Sequence, residues 1–283
     1  MNWVPLLFID DVCHQLRKQE FNQVSQLSGS WPSFGAEHGE KRREFDFRCR
    51  VSTPAVSYDL RDTDWAHPRK VTLADLNLEF DRITELAFDY DYSNHRVSFS
   101  ECERVVLPTV ASLVTNCYWP YLDASAQNRI PFKAFKNCPG FSEISVEEQG
   151  EESRDFVARQ VRLGNVQRLN LYGANKWPEA ENLTETLKIF LSSTRFHELY
   201  SRHPLRDHYE LFELFLERAL ASELKRGALI SAPGTNFDKR RFLALHPQGR
   251  DYSKKNAWRI PHSNLRITLR HIDGISRVKL EVM

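Results

Sequence analysis

The sequence has few of the residues that crosslink a chain or anchor it to a membrane. Only five of its 283 residues are cysteines, at 13, 49, 102, 117 and 138. None forms a Cys-x-x-Cys pair, and no histidine stands at zinc-finger spacing from two of them, so neither a disulfide framework nor a zinc knuckle is read. Reduced thiols fit the cytoplasm or nucleus. Net charge is nearly absent as well: 39 basic residues against 38 acidic ones leave +1. That balance excludes a broad electrostatic pull toward nucleic acid or an anionic membrane. No run of about 18 apolar residues occurs, so no membrane span is expected. Met1 to Ile9 is apolar but lacks a basic start, contains Pro5 and runs into Asp10-Asp11, so no signal peptide is expected.

Signatures of catalysis are missing too. There is no glycine-rich phosphate loop, no Gly-x-Ser-x-Gly and no His-Glu-x-x-His. Asp89 and Asp91 share one side of a predicted strand, where a solvated face is the simpler reading. Cys13 and His14 are neighbours on a predicted helix, so their side chains diverge by about 100° and do not form a nucleophile pair. The expectation is a protein that is not an enzyme, with no cofactor and no metal.

What is present is a globular composition, 41% hydrophobic and 12% aromatic, long enough for one large domain or a small one joined to a larger one. Ile9, Val12, Cys13 and Leu16 fall at i, i+3, i+4 and i+7, one face of a helix. Val24, Leu27 and Trp31 form a second stripe, with Phe21 one turn earlier. Pro32, Gly29, Gly35 and Gly39 then predict a break in regularity, and the charged run Glu40 to Glu44 closes the segment. Phe45, Phe47, Cys49 and Val51 alternate with polar residues and predict a half-buried strand. Asp59 to Lys70 reads as a loop.

From Arg82 onward a pattern recurs. Ile83-x-x-Leu86-x-Phe88 returns as Phe141-x-x-Ile144-x-Val146 and as Val166-x-x-Leu169-x-Leu171, then as Phe196-x-x-Leu199 with Ser201 in the third place. The starts are 58, 25 and 30 residues apart, and the long gap leaves room for a degenerate copy at Trp119-x-x-Leu122-x-Ala124. Periods of roughly 20–29 residues belong to leucine-rich repeats. The intervening stretches carry helical spacing: Phe156, Val157 and Val161 before Gly164; Leu183, Leu187, Phe190 and Leu191; and Tyr209 to Lys225 before Gly227. At the C-terminus Leu265, Ile267 and Leu269 alternate, as do Val278, Leu280 and Val282, around Asp273-Gly274, a hairpin signal. The fold class expected is α/β: an N-terminal helical module (1–44), a β-rich linker or cap (45–81), an irregular leucine-rich-repeat-like strand/helix solenoid (82–250) and a C-terminal β-hairpin cap (251–283). If the periodicity is accidental, a generic α/β or α+β domain is the alternative.

In such a solenoid the apolar strand positions point inward and those between them form the concave binding face. Its rows would be Glu85, Ala87 and Asp89; Glu143, Ser145 and Glu147; Arg168, Asn170 and Tyr172; and Glu198, Tyr200 and Arg202. Tyrosine and arginine are frequent interface anchors. The expected partner-binding set is Glu85, Asp89, Glu143, Glu147, Arg168, Tyr172, Tyr200 and Arg202. The bland alternative is an ordinary solvated sheet face.

Residues Val4 to Trp31 resemble an F-box: Val4-Pro5, then Phe8, Ile9, Val12, Cys13 and Leu16, then Glu20-Phe21, then Val24, Leu27 and Trp31. The remainder is similar to the divergent leucine-rich-repeat-like regions of nematode F-box-related proteins. The resemblance implies docking on a Skp-type adaptor of an SCF ubiquitin ligase, through Pro5, Ile9, Val12 and Leu16, with an unknown protein substrate held by the solenoid. The alternative is an adaptor-independent repeat scaffold whose N-terminal helices act as a cap.

Overall fold

A computed structural model of the chain describes residues 4–52, 55–63, 71–88, 95–115, 120–124, 129–172, 177, 181–202, 208–233, 250–252, 257–259, 265–272 and 275–283. It is a mixed α/β protein in two units, one ending at Ser142 and the other beginning at Glu143.

In the first unit, Ile9 and Cys13 lie one turn apart on α1 (Leu6–Gln15) and meet Phe21 and Val24 of α2 (Phe21–Val24) in a small apolar core. Leu16, Trp31 and Phe34 pack around it. A third helix, α3 (Trp31–Lys41), runs through the residues expected to break regularity. Pro32 sits in its first turn, where a missing N–H is tolerated. Gly35 and Gly39 are where α3 touches α2: a Cβ at Gly35 would lie 2.8 Å from Val24 Cγ1, and one at Gly39 would lie 3.4 Å from Phe21 Cβ. These glycines permit close approach of two helices instead of ending one. The expected Val24–Leu27–Trp31 stripe is correspondingly split, with Val24 closing α2, Trp31 opening α3 and Leu27 exposed between them.

The sheet of this unit begins with β1 (Glu44–Ser52), whose Phe45, Phe47 and Cys49 are buried as the alternation requires. Next comes β2 (Ala55–Asp62), antiparallel to β1 from Phe45↔Asp62 to Ser52↔Ala55. This corrects the expected loop at Asp59. Tyr58 and Leu60 are buried, and the buried Asp59 carboxylate accepts from Arg61 Nε at 2.7 Å. Charged residues on the strand hid its period of two; residues 64–70 lie outside the described set. The repeat strand β3 (Arg82–Phe88) is parallel to β1, and the degenerate copy is β5 (Tyr121–Ala124), parallel to β3 with Leu122 and Ala124 buried. With β4 (His95–Ser98) antiparallel to β2, the order is β5-β3-β1-β2-β4. The helical stretch between β4 and β5 comprises α4 (Phe99–Glu101), a π turn at Cys102–Val106, and α5 (Leu107–Thr115), which packs on β3. After β5 comes α6 (Ile130–Ala134). Phe47, Phe88, Phe135 and Phe141 link edge to face at 6.0–6.3 Å through the core.

The second unit repeats one device. Strands β6 (Glu143–Glu147), β7 (Arg168–Tyr172), β8 (Glu198–Ser201) and β9 (Leu229–Pro233) lie parallel in chain order. They are joined in turn by α7 (Glu151–Arg162), α8 (Glu181–Ser192) and α9 (His208–Leu220). Inward residues are buried on every strand: Ile144 and Val146, Leu169 and Leu171, Leu199 and Ser201, Ile230 and Ala232. Strand β9 was not anticipated, because its inward side carries a single large apolar residue, Ile230, between Ala228 and Ala232. Helix α9 stops at Leu220 and not near Lys225, since the chain turns at Ser222, where φ is +60°. Glu151 and Glu152 open α7 and Arg159 and Arg162 close it, matching the helix dipole at both ends.

The C-terminal hairpin forms as expected from β12 (Leu265–Ile272) and β13 (Ile275–Val282), paired from Leu265↔Val282 to Ile272↔Ile275; its turn residues 273–274 lie outside the described set. Strand β13 also pairs antiparallel with β9, so the edge of the last parallel strand is covered. Two short strands, β10 (Arg250–Tyr252) and β11 (Ala257–Arg259), continue the sheet beyond the hairpin in the order β6-β7-β8-β9-β13-β12-β11-β10. Among the described residues no helix is long and apolar enough to cross a membrane.

Candidate functional site

Because side chains alternate along a strand, burial of Leu169, Leu171 and Leu199 sends Arg168, Asn170, Tyr172, Glu198 and Tyr200 to the opposite face of the second unit's sheet. Strand register then builds rows. Glu143, Arg168 and Glu198 are direct neighbours across β6, β7 and β8. Arg168 Nη1 lies 3.4 Å from Glu143 Oε2, and its Nε lies 3.8 Å from Glu198 Oε2. One cation thus serves two flanking carboxylates. In the next row Asn170 Nδ2 donates to Ser145 Oγ at 3.0 Å, and Tyr200 follows Asn170 in register.

Tyr200 links that row to an aromatic group. The Tyr172 and Tyr200 rings are 5.8 Å apart, and the Arg277 guanidinium of β13 sits 4.3 Å from the centre of the Tyr200 ring. Arg277 Nη2 also donates to the Ser201 carbonyl at 2.6 Å, which fixes the cation in place. Trp177 anchors the strand end, its Nε1–H donating to the Tyr172 carbonyl at 3.0 Å. Arg277 was absent from the expected set. Its only sequence signal is its outward place in the β13 alternation, and its nearness to Tyr200 depends on the β13–β9 pairing.

Of the expected partner-binding residues, Glu143, Glu147, Arg168, Tyr172, Tyr200 and Arg202 all lie in the second unit on these strands or immediately after β8. Glu85 lies on β3 of the first unit, half-buried beside Tyr121. Asp89 lies outside the described residues.

The expected adaptor-binding residues separate by exposure. Pro5 is exposed, Val12 and Leu16 are half-buried, and Ile9 is only 2% exposed inside the module's own core. The apolar surface of this module is instead formed by Leu6, Leu7 and Phe8 of α1, with Leu27 also exposed; Leu7 is 80% exposed. Phe8 leans edge-on against Trp31 at 6.5 Å.

The first unit also contains a cavity of about 870 Å³, with His14, Arg17, Phe21, Arg42, Asp62 and Arg82 among its lining residues. Arg42 and Arg82 are 1% and 2% exposed, the largest fully buried side chains among the described residues. Both reach the C-terminal end of α1, whose last carbonyls have no partner within the helix. Arg42 donates to the carbonyls of Cys13 (3.0 Å) and Leu16 (3.2 Å), and Arg82 Nε donates to the His14 carbonyl at 3.4 Å while its Nη1 donates to the Asp81 carbonyl at 2.6 Å. A positive group at a helix C-terminus is also favoured by the helix dipole.

Each arginine further touches a histidine. Arg82 Nη2 lies 2.6 Å from His14 Nδ1, and Arg42 Nη2 lies 3.3 Å from His38 Nδ1. A guanidinium can only donate, so both Nδ1 atoms accept and each neutral ring carries its proton on Nε2. Both Nε2 atoms face Asp10, His38 at 2.8 Å and His14 at 3.4 Å. Three possible metal-ligand atoms therefore lie within 4.8 Å of one another. With protons on both Nε2 atoms no nitrogen lone pair is aimed at the centre, and an arginine donating to the other nitrogen of each ring is the opposite of the acceptor that metal-bound histidines have there. The group is a hydrogen-bond network. Burial, and next Arg82, lower the His14 pKa, while Asp10 opposes them. Burial, followed by Asp10, pushes the Cys13 thiol up to about 11, which keeps it protonated and unreactive at neutral pH. None of this was legible in sequence, because residues 10, 14, 38, 42 and 82 belong to three separate elements.

Compared with protein-family models, curated proteins and solved structures, the chain matches none of them.

Proposed function

We propose that this chain is a non-catalytic protein-binding protein whose second unit holds a partner on the outward face of β6–β9, most simply as a leucine-rich-repeat-like substrate receptor of an SCF-type ubiquitin ligase. The observation that carries the binding role is the parallel, chain-ordered β6-β7-β8-β9 set, which turns one alternation into contiguous rows of polar and aromatic side chains. A tilted Tyr172–Tyr200 pair backed by a fixed Arg277 supplies large contact area at small entropic cost on ordering.

The ligase role rests on the F-box resemblance of Val4 to Trp31 and on the exposed Leu6, Leu7 and Phe8, a patch suited to burial against a Skp-type adaptor. The test is capture of a purified Skp-type adaptor by the full chain. Micromolar binding, lost in Leu7→Asp and kept in Tyr200→Ala, supports the role, whereas no binding at that concentration removes it. Partner capture followed by mass spectrometry then tests the sheet face, with Tyr200→Ala expected to release the partner.

A second reading is favoured by one specific observation. Arg82 of β3 is bonded to His14 of α1, so the N-terminal helices are tied to their own sheet. In that reading they are a structural cap, and the protein is an adaptor-independent scaffold.

A further inference from the structure

We propose that the chain Arg82–His14–Asp10–His38–Arg42 is an acid-sensitive latch, which holds the N-terminal helices against β3 while His14 is neutral and lets them go when it is protonated. The geometry allows one protonation state. With Arg82 Nη2 at 2.6 Å, His14 Nδ1 must keep its lone pair. A proton there would set N–H against N–H at a distance that suits only a hydrogen bond, and Arg82 would have to withdraw.

Arg82 is buried among fixed acceptors, and the same side chain that grips His14 Nδ1 also bonds the Asp81 carbonyl at 2.6 Å. Its withdrawal therefore breaks more than one bond at the junction of α1 and β3. The groups facing His14 come from every element around it: Asp10 on α1, His38 on α3, Arg42 at the end of α3, and Arg82 on β3. Phe80 closes the remaining side at 6.5 Å from the His14 ring. Asp10 favours the imidazolium, and the two arginines oppose it. The exposed Glu37 and Lys41 of α3 are paired with each other at 2.7 Å.

The direction of the pH response follows from linkage. In the unfolded chain His14 takes its proton near its ordinary value of 6.5, and in the folded chain only at lower pH. The unfolded state then binds more protons throughout that interval. The stabilisation is complete above 6.5 and declines as pH falls from 6.5 toward the lowered folded value.

The experiment is hydrogen exchange on the full chain at pH 7.5 and 5.5, each amide corrected for its intrinsic rate, with wild type beside His14→Gln. Glutamine keeps a donor for Asp10 but cannot titrate. Protection of the amides of residues 9–16 is expected to fall several-fold in wild type, each unit of pKa displacement giving about tenfold, and to hold constant in H14Q. An equal fall in both proteins, or none in wild type, overturns the latch. Ring-nitrogen NMR of wild type keeps the proposal testable if H14Q does not fold. Protons on Nε2 of both rings and a His14 midpoint below 6.5 support it. A proton on Nδ1 of either ring at pH 7.5, or a His14 midpoint at or above 6.5, overturns it.

Discussion

The two units solve the same packing problem with different interiors. Among the described residues, the first unit buries His38, Arg42, Asp59, Asp81 and Arg82, whereas the buried polar residues of the second are neutral: Ser145, Ser153, Gln160, Thr186, Ser201, Ser231 and Thr268. The second unit repeats strand and helix, so each new strand offers the same apolar side to the layer of helices, and no charge is needed inside. The first joins its N-terminal helices α1–α3 to a sheet with both parallel and antiparallel neighbours. The C-terminal end of α1 points inward, and buried arginines satisfy its carbonyls. Stability should therefore be chiefly hydrophobic in the second unit, and electrostatically specified in the first.

That contrast can be broken by substitution. The largest effect is expected from Leu169→Ala, which empties a wholly buried site under β7 and should cost about 4 kcal/mol in urea unfolding, with no dependence on salt. Arg43→Ala should cost about 3 kcal/mol. It strips the buried Asp81 carboxylate of bonds from Nε at 2.9 Å and Nη2 at 2.6 Å, leaving the Asn77 N–H at 2.7 Å. A smaller loss for Arg43→Ala than for Arg168→Ala would end the distinction between the units. Gly35→Ala should cost about 2 kcal/mol by overpacking α3 against Val24, read as a lower melting temperature. Acidification from pH 7.5 to 5.5 should then reduce protection in α1, where burial and Arg82 lower the His14 pKa. The H14Q substitution should remove that loss without altering any change beside His197 of the second unit, whose pKa burial and Arg168 also lower. The smallest effect is expected from Arg168→Ala, below about 1 kcal/mol, since its two ion pairs are long and partly solvated. If that substitution instead abolishes partner capture while stability holds, the row Glu143–Arg168–Glu198 has its role in binding.

Legibility followed the same division. In the second unit, apolar residues recurring in the Phe141, Val166 and Phe196 strings located three parallel strands, and the two alternating runs located the hairpin, because in each the buried side is predominantly apolar. Strand β9 escaped notice for lack of large residues on that side. In the first unit, β2 was obscured by Asp59, Arg61 and Asp62, and α3 by glycines and a proline that sequence statistics treat as breakers. Of the candidate surface, Arg168, Tyr172 and Tyr200 followed from alternation, while Arg277 did not. Ile9 was rightly placed on the apolar helix face, but which apolar face turns to solvent depends on what covers it, and that assigned exposure to Leu7.

By itself, then, the sequence determined which residues alternate and which share a helix face, because local geometry fixes periods of about 2 and 3.6 residues. It thereby determined an α/β chain with ordered strands and an outward polar-aromatic face. Only the tertiary structure decided that two histidines, one aspartate and two arginines from α1, α3 and β3 would meet. Tautomer and charge in that network depend on which group stands opposite each ring nitrogen; Asp10–His14 and His38–Arg42 are each four residues apart, but Asp10–His38 and His14–Arg82 join positions 28 and 68 residues apart.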